Sequence, residues 1–275
     1  MKNLSLGYSP CPNDTFIFYA LVHNKLEGKL RFTERLEDVE TLNRLALRTQ
    51  LDITKVSFHA LGHLRENYCL LRSGSALGRG FGPLIVSKKP MRPSELSSKK
   101  IAIPGKLTTA YLLLRLFAPD ATDVVEMQFD RIMNAVELGM VDAGLIIHEG
   151  RFTYPEYNLV EIIDLGEWWE KETGYPIPLG CILARRELGV DLINEIDRML
   201  KESVGYAFRN PGITWEYVKN NAQELEDEVI RQHIELYVNE YTLDIGEGAD
   251  AAGKLLKTAE ELHIIPESNK PFFID

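Results

Sequence analysis

Two segments place polar side chains where a predicted strand gives way to a helix, a position that suits an anionic ligand. In SPCPNDTF, Asn13 and Asp14 follow a short apolar strand, and in IPGKLTTA, Thr108 and Thr109 follow another strand. A helix start carries N–H groups without intrahelical partners and the positive end of the helix dipole, so either segment could hold a carboxylate or phosphate. The alternative is that these side chains only cap their own helices. The second segment lacks the GxxxxGK[ST] spacing of a P-loop.

A third segment, DITKVSFHALGH, ends a strand with Lys55 and Ser57 before a helix. The functional interpretation is a ligand-contacting lysine and serine, and the alternative is a solvated lysine and a capping serine. His59 and His63 stand four residues apart and could share a helix face, as metal ligands do. There is no HExxH motif and no cysteine or carboxylate in register, so we expect no metal at this place.

A fourth segment, GLIIHEG, places His148 at the end of a strand that is apolar enough to be buried. An imidazole titrates near neutral pH, which makes it the natural general base of a site at a sheet edge. The alternative is a structural histidine. Cys11, at a predicted helix start, could be an activated nucleophile, but a small apolar filler is the better interpretation. The glycine-rich stretch from Gly74 to Gly82 does not lead directly into a helix, which rejects a dinucleotide fingerprint.

The elements that must position these residues alternate between strands and helices. Apolar periodicity predicts strands at 3–8, 30–36, 52–57, 68–72, 83–87, 100–103, 123–128, 143–148 and 157–164. Helices are predicted between them, at 15–23, 39–49, 58–64, 108–117 and 131–140, and the chain beyond Leu192 is predicted to be helical. Strands that alternate with helices are typical of α/β proteins with mostly parallel sheets.

Two polar or proline-rich segments, KKPMRPSELSSKK and EWWEKETGYPIPLG, are predicted to be crossings between domains. The predicted organisation is a first lobe of residues 1–87 and 181–275, with a second lobe of residues 88–180 inserted in it. Ligand sites favour domain interfaces and the carboxyl ends of parallel strands, so we expect a ligand cleft between the lobes.

The composition limits the classes of protein and partner. The chain has 275 residues, 45% of them hydrophobic and 26% charged, which are ordinary globular values. A net charge of −10 disfavours nucleic acid and anionic membranes as partners. Three cysteines without paired spacing indicate a reducing compartment, and the start of the chain lacks the apolar core of a secretory signal, so we expect a cytoplasmic protein. The oligomeric state is left open, and a homodimer is compatible with the sequence.

The segments SPCPNDTF, DITKVSFHA, GRGFGPLIVS, IPGKLTTA and DAGLIIHE occur in this order along the chain. In these segments the chain resembles the 1,4-dihydroxy-6-naphthoate synthase family of the futalosine route to menaquinone, over nearly its whole length. The related chorismate dehydratases share the fold but lack the opening segment. The resemblance implies a two-lobed type II periplasmic-binding-protein-like fold.

The resemblance also implies roles for individual residues of the site. The general base of the family falls on His148, and the substrate contacts fall on Lys55, Val56 and Ser57 and on Thr109 and Ala110. Asn13 and Asp14 match the opening motif and Thr108 precedes the second contact segment, so they are further candidates for substrate binding. Thr54 stands where a serine is expected in the family, which is a conservative departure.

The reaction that the resemblance implies is cleavage of a carbon–carbon bond in cyclic dehypoxanthine futalosine. A base removes a proton, a sugar-derived fragment leaves, and the remaining ring becomes aromatic, which requires no metal and no redox cofactor. The expected partner is this small carboxylated substrate, and the threonine hydroxyl at position 109 is expected to help hold its carboxylate. Two alternatives stay open, a cytosolic small-molecule binding protein of the same fold and a chorismate dehydratase.

Overall fold

The predicted fold class is confirmed. The computed structural model describes residues 2–222 and 226–274, and over these ranges the chain is an α/β protein. It forms two compact units, the first made of Met1–Leu77 and Gly180–Asp275 and the second of Gly78–Leu179. Within the described ranges no helix combines the length and the apolar character that crossing a bilayer requires.

The strands of the described ranges are short. They are β1 (Lys2–Tyr8), β2 (Leu30–Leu36), β3 (Ile53–Ser57), β4 (Tyr68–Leu70), β5 (Ala76–Gly78), β6 (Leu84–Ser87), β7 (Ile101–Ile103), β8 (Val124–Glu126), β9 (Ala143–Ile146), β10 (Val160–Asp164) and β11 (Ile177–Arg185).

The α-helices are interspersed with the strands up to β11, except between β4 and β7, and then follow one another. They are α1 (Pro12–Val22), α2 (Val39–Leu47), α3 (Phe58–Leu64), α4 (Thr109–Phe117), α5 (Phe129–Glu137), α6 (Gly150–Thr153), α7 (Leu165–Thr173), α8 (Val190–Arg209), α9 (Pro211–Asn221), α10 (Asp227–Tyr237), α11 (Glu240–Leu243) and α12 (Gly248–Glu261).

The sheet of the first unit has the order β2-β1-β3-β11-β4, and β5 pairs with β11. The strand β1 is parallel to both β2 and β3, whereas β11 runs antiparallel to both β3 and β4. The sheet is therefore mixed, because the strand that returns from the second unit enters it in the opposite direction.

The sheet of the second unit has the order β10-β6-β9-β7-β8. It is mixed for the same reason, since β7 is parallel to β8 and β9, while β6 is antiparallel to β9 and β10. The strand β6 was placed in the first lobe by the predicted boundary at residue 87. It lies in the second unit because its backbone pairs with two strands of that unit's sheet.

The two segments predicted to be domain crossings both contain regular structure, but the second does include a boundary between the units, at Leu179 and Gly180. The first contains a 3₁₀ helix, Pro93–Ser98, whose Leu96 is fully buried. The second contains most of α7 and the start of β11. The helix α7 begins where the Asp164 side chain accepts hydrogen bonds from the amides of Gly166 and Glu167, and Trp169 anchors it as a buried residue.

The core of the first unit is built around α1, in which every residue from Pro12 to Leu21 is buried. A helix that is buried all round must be covered on all sides, and α1 packs against α8, α9 and α10. The helix start that carries Asn13 and Asp14 is consequently held by the three helices that follow β11 in the sequence.

The surface helix α2 shows the pattern that the sequence predicts. Leu42, Leu45 and Ala46 are buried on one face, as the apolar stripe indicated. The helix begins at Asp38, whose side chain accepts from the amides of Glu40 and Thr41. Its buried face lies against β3, so α2 is placed beside the strand that carries Lys55 and Ser57.

Two glycines allow the backbone to approach itself closely in the second unit. A Cβ atom on Gly82 would lie 2.5 Å from the backbone nitrogen of Gly166, and a Cβ on Gly166 would overlap the carbonyl of Phe81. We expect Gly166→Ala to lower the free energy of unfolding by about 1–3 kcal/mol or more, since backbone atoms must move apart to accept the methyl group. Urea denaturation followed by circular dichroism measures this loss.

The matched control is Gly212→Ala in the first turns of α9. Gly212 is exposed and a Cβ atom there would meet nothing within 4 Å. The alanine is expected to stabilise the protein by about 0.5–1 kcal/mol through helix propensity. An equal effect of the two substitutions would show that the close approach at Gly166 is not a constraint.

Candidate functional site

The sheet of the first unit brings two of the sequence segments to one edge. The strands β1 and β3 are parallel neighbours, with Gly7 opposite Thr54. Their carboxyl ends therefore lie side by side, which places Ser9 and the start of α1 next to the Lys55–Ser57 segment. Candidate residues that are about forty positions apart in the sequence thus become neighbours.

Asp14 is the centre of this edge and is almost completely buried. Its Oδ1 accepts from Lys55 Nζ at 2.7 Å and from Asn13 Nδ2 at 2.9 Å. Its Oδ2 accepts from the Ser9 hydroxyl at 2.8 Å and the Ser9 amide at 3.2 Å. Lys55 is only 6% exposed, so the two charges form a buried ion pair in which the carboxylate is fully hydrogen-bonded.

This network argues against the capping interpretation of the opening motif. The N-cap of α1 is Cys11, which makes no side-chain capping bond, so neither Asn13 nor Asp14 caps the helix in the predicted way. The Asp14 carboxylate in the first turn still interacts favourably with the helix dipole. The solvated-lysine alternative for Lys55 is wrong as well, because Lys55 is buried and paired.

Ser57 is held from the neighbouring helix α2. Its amide donates to Asn43 Oδ1 at 2.9 Å, and Asn43 Nδ2 donates to the Ser57 hydroxyl at 3.3 Å. Ser57 is the N-cap residue of α3 but makes no side-chain capping bond, so the capping-serine alternative does not hold. The side chain of Val56 is fully buried in β3, so any contact from this residue to a ligand would come from its backbone.

Sequence reasoning missed both Asn43 and His233. Asn43 is fully buried on the apolar face of α2, and a polar residue in such a stripe is the signal that could have revealed it. His233, on α10, is fully buried, and its Nε2 lies 3.0 Å from Asn13 Oδ1. It is 220 residues from its partner, and no local pattern marks it.

The sheet of the second unit brings the remaining candidates to one edge. The strands β7 and β9 are parallel neighbours, so the start of α4 and the segment after β9 follow adjacent carboxyl ends. The strand ends at Ile146, two residues earlier than the sequence predicted, and His148 lies in the turn beyond it with a φ of 56°. Its ring meets Phe129 edge to face, at 5.1 Å between centroids.

A left-handed backbone is uncommon for residues other than glycine, although histidine adopts it more readily than most residues. Such a conformation costs free energy and persists where the surrounding structure imposes it, often at functional sites. The turn at His148 therefore holds the backbone of this half-buried residue in a constrained conformation, and it leads into Glu149, which is buried.

The hydroxyl groups of the two threonines at the start of α4 were expected to bind an anion, but in the structure they bond to the protein backbone. Thr108 is the N-cap: its Oγ1 accepts from the Tyr111 amide at 3.2 Å and donates to the Gly105 carbonyl at 2.8 Å. The Thr109 hydroxyl donates to the carbonyl of Leu179 at 2.8 Å. The capping alternative is correct for Thr108, and what α4 offers an anion is the amides of its first turn, including that of Ala110.

The cysteines and the paired histidines behave as packing residues. Burial raises the pKa of the Cys69 thiol to about 11 and also raises the pKa of Cys181, which disfavours the thiolate. Cys11 is buried as well, which fits the apolar-filler interpretation. The rings of His59 and His63 lie 5.5 Å apart on α3, and burial lowers the pKa of His63.

The fold defines the class of protein. An alkanesulfonate-binding protein of Xanthomonas axonopodis pv. citri, solved with bound MOPS, is 13% identical to this chain, with a TM-score of 0.69 over 96% of this chain and 94% of that one. A Candida albicans protein described as having the generic periplasmic-binding-protein fold gives a TM-score of 0.65 at 14% identity, over 98% of this chain and 92% of that one. The chain thus has the periplasmic-binding-protein fold, as the resemblance implied.

Closer relatives define the family. The model of the menaquinone biosynthesis family matches residues 4–261, and the chain belongs to that family. Proteins named 1,4-dihydroxy-6-naphthoate synthase are 50% identical over all of both chains in Thermus thermophilus, and 44% identical over 94% of this chain and 93% of the relative in Streptomyces coelicolor. An Archaeoglobus fulgidus protein of known crystal structure is 39% identical, with a TM-score of 0.90 over 96% of this chain and 98% of that one. The resemblance stated from the motifs is confirmed, and the chain is an enzyme of menaquinone biosynthesis.

The buried pair of Asp14 and Lys55 gives a prediction about stability. Replacing only one partner, in Lys55→Met or Asp14→Asn, leaves the other buried group without its counter-charge. Each single variant is expected to lose about 3–5 kcal/mol of unfolding free energy. The double variant should lose less than the sum of the two, and a double-mutant cycle in urea measures the difference. Additive losses would contradict direct coupling between the two side chains.

The hydroxyl of Thr109 gives a second prediction. Thr109→Val keeps the shape but leaves the Leu179 carbonyl without its donor, so the unfolding free energy should fall by about 1–3 kcal/mol. Because the hydroxyl already donates to the Leu179 carbonyl, it is not available to a ligand carboxylate. Calorimetry should therefore show that the variant binds a carboxylated ligand and its decarboxylated analogue more weakly by similar factors. Thr109→Ser keeps the donor and serves as the control. A selective loss for the carboxylated ligand would show that the hydroxyl holds the carboxylate after all.

Proposed function

We propose that this chain converts cyclic dehypoxanthine futalosine to 1,4-dihydroxy-6-naphthoate, with release of a sugar-derived fragment. The observation that carries the proposal is the 50% identity, over the full length of both chains, to a synthase named for that product. The proposal makes the protein a carbon–carbon lyase of the futalosine route. It also places the reaction in the cytoplasm, where the cysteines would stay reduced.

His148 is proposed as the general base. It follows the carboxyl end of a buried strand, next to the start of α4, which is where α/β sheets present ligand-binding groups. A neutral imidazole can accept a proton near neutral pH and return it later in the cycle. The left-handed turn that holds His148 would keep the ring in place, so that little reorganisation precedes proton transfer.

The bond changes follow from this role. His148 takes the proton of a sugar hydroxyl, and the resulting oxyanion forms a carbonyl as the adjacent carbon–carbon bond breaks. The bonding electrons pass into the carboxylated ring system, which becomes aromatic when a proton is restored. Aromatisation supplies driving force, so the protein needs only to position the substrate, exclude water and supply the base.

The other candidate residues are proposed to bind the substrate. Lys55 offers a buried ammonium whose direction is set by Asp14, and Ser57 offers a hydroxyl oriented by Asn43. Thr109 and Ala110 contribute amides at the start of α4, where the helix dipole favours a carboxylate. Asp14 supports this arrangement by accepting from Lys55, Asn13 by donating to Asp14, and Thr108 by capping α4.

Replacement of His148 tests the mechanism. We expect His148→Ala to fold normally and to lose about 100- to 10,000-fold in turnover rate, which is the usual contribution of a general base. Formation of 1,4-dihydroxy-6-naphthoate from the cyclic substrate, followed by its ultraviolet absorbance, measures the rate. His148→Asn suits the left-handed backbone and removes the base, so it separates lost chemistry from backbone strain.

The matched control is His263→Ala. His263 also has a positive φ, 55°, but it is exposed at the end of α12. This variant should keep the turnover of the wild type. Near-normal turnover by both His148 variants would remove this residue from the mechanism. Turnover of chorismate in place of the cyclic substrate would assign the chain to the chorismate dehydratases. Binding of the cyclic substrate without turnover would indicate a small-molecule binding protein.

A further inference from the structure

Four buried side chains form a continuous chain of hydrogen bonds in the first unit, and we name it the His233 relay. His233 Nε2 lies 3.0 Å from Asn13 Oδ1, Asn13 Nδ2 donates to Asp14 Oδ1 at 2.9 Å, and Lys55 Nζ donates to the same oxygen at 2.7 Å. The relay links α10 to β3 through the start of α1. Nothing in the proposed reaction yet gives His233 a role.

The chemistry of the relay fixes the direction of each hydrogen bond. Asp14 receives four donors, one of them an ammonium, so it is a carboxylate and can only accept. The amide of Asn13 must therefore turn its NH₂ group toward Asp14 and its oxygen toward His233. That oxygen needs a donor, so His233 must carry a hydrogen on Nε2.

The far end of the relay is the ammonium of Lys55. An ammonium has three N–H donors, and the bond to Asp14 fixes one of them, which sets the directions of the other two. The end of the lysine stem also lies close to Gly180, where a Cβ atom would come within 2.8 Å of Lys55 Cε. The side chain is therefore confined between Asp14 and the bare backbone of β11.

We infer that His233 is a positioning residue for substrate binding: its Nε2–H fixes the orientation of the Asn13 amide, which aligns Asp14 and thereby aims the Lys55 ammonium. The inference rests on the proposed function, because Lys55 meets substrate only in that assignment. Without the donor, the buried Asn13 amide oxygen loses its hydrogen bond, and the amide is held only at its Asp14 end. The Asp14 carboxylate is then less firmly aligned, and the lysine loses its fixed direction.

Two substitutions separate the hydrogen bond from the bulk of the ring. His233→Met fills space without a donor, whereas the side-chain amide of His233→Gln can place an N–H near the position of Nε2. We expect the methionine variant to raise KM for the cyclic substrate and Kd for 1,4-dihydroxy-6-naphthoate by about tenfold, because the misaligned Lys55 ammonium loses much of its charge-assisted hydrogen bond to the ligand. The kcat should change less, and the glutamine variant should recover most of the affinity.

A control and a spectroscopic measurement complete the test. His23→Met makes the same change at the end of α1, outside the relay, and should leave KM unchanged. In the wild type, nitrogen-15 NMR of the imidazole should show a hydrogen on Nε2 of His233. This measurement needs no ligand and decides the case even where a variant fails to fold.

Three results would overturn the inference. They are an unchanged KM in a folded His233→Met variant, a glutamine variant as impaired as the methionine variant, and a His233 ring with hydrogen only on Nδ1. Failure of the proposed function looks different, because the wild type would then neither turn over the cyclic substrate nor bind the product. The tautomer of His233 would still report whether the relay exists.

Discussion

The site in the first unit depends on one buried ion pair, that of Asp14 with Lys55. Removing two charges from water costs several kcal/mol for each ion, and only a close contact with every remaining lone pair satisfied offsets that cost. The structure meets this condition with Ser9 and Asn13, which supply the further donors to Asp14. Three features help to offset the desolvation cost of this pair. They are the adjacent ends of β1 and β3, the first turn of α1 and the glycine backbone at Gly180.

The second unit uses a different constraint for a related purpose. There the positions are set by backbone conformation, through the left-handed turn at His148 and the capped start of α4. The hydroxyls of both threonines are committed to the protein's own backbone. A rigid frame of this kind costs stability or side-chain freedom in advance. In the proposed site it would hold the amides of α4 and the backbone of His148 in place before a ligand binds.

The sequence predicted the fold class and most elements because hydrophobic periodicity reports directly on which face of a segment is buried. The buried stripe of α2 is one example, and the long helices after β11 are another. The first predicted lobe boundary, at residue 87, left β6 in the wrong lobe, because pairing partners depend on residues far away in the chain. The second predicted boundary, at residue 180, lies within one residue of the observed one. The motif residues could be predicted from strand-to-helix turns. The only sequence signal for Asn43 is its place as a polar residue in an apolar stripe. No sequence signal marks His233, because its partner is 220 residues distant.

The position of β11 has a consequence for how the molecule is made. This strand lies between β3 and β4 in the first sheet, yet it begins only at Ile177. During synthesis, the first 77 residues emerge before β11, the strand that lies between β3 and β4 in their sheet. Residues 78–179, in contrast, form a contiguous unit that contains all the strands of its own sheet. Domains tend to fold as units while they emerge from the ribosome. The inserted unit can therefore fold before the first unit is complete. Until nearly two thirds of the chain has been synthesised, the edges of β3 and β4 that pair with β11 have no partner strand.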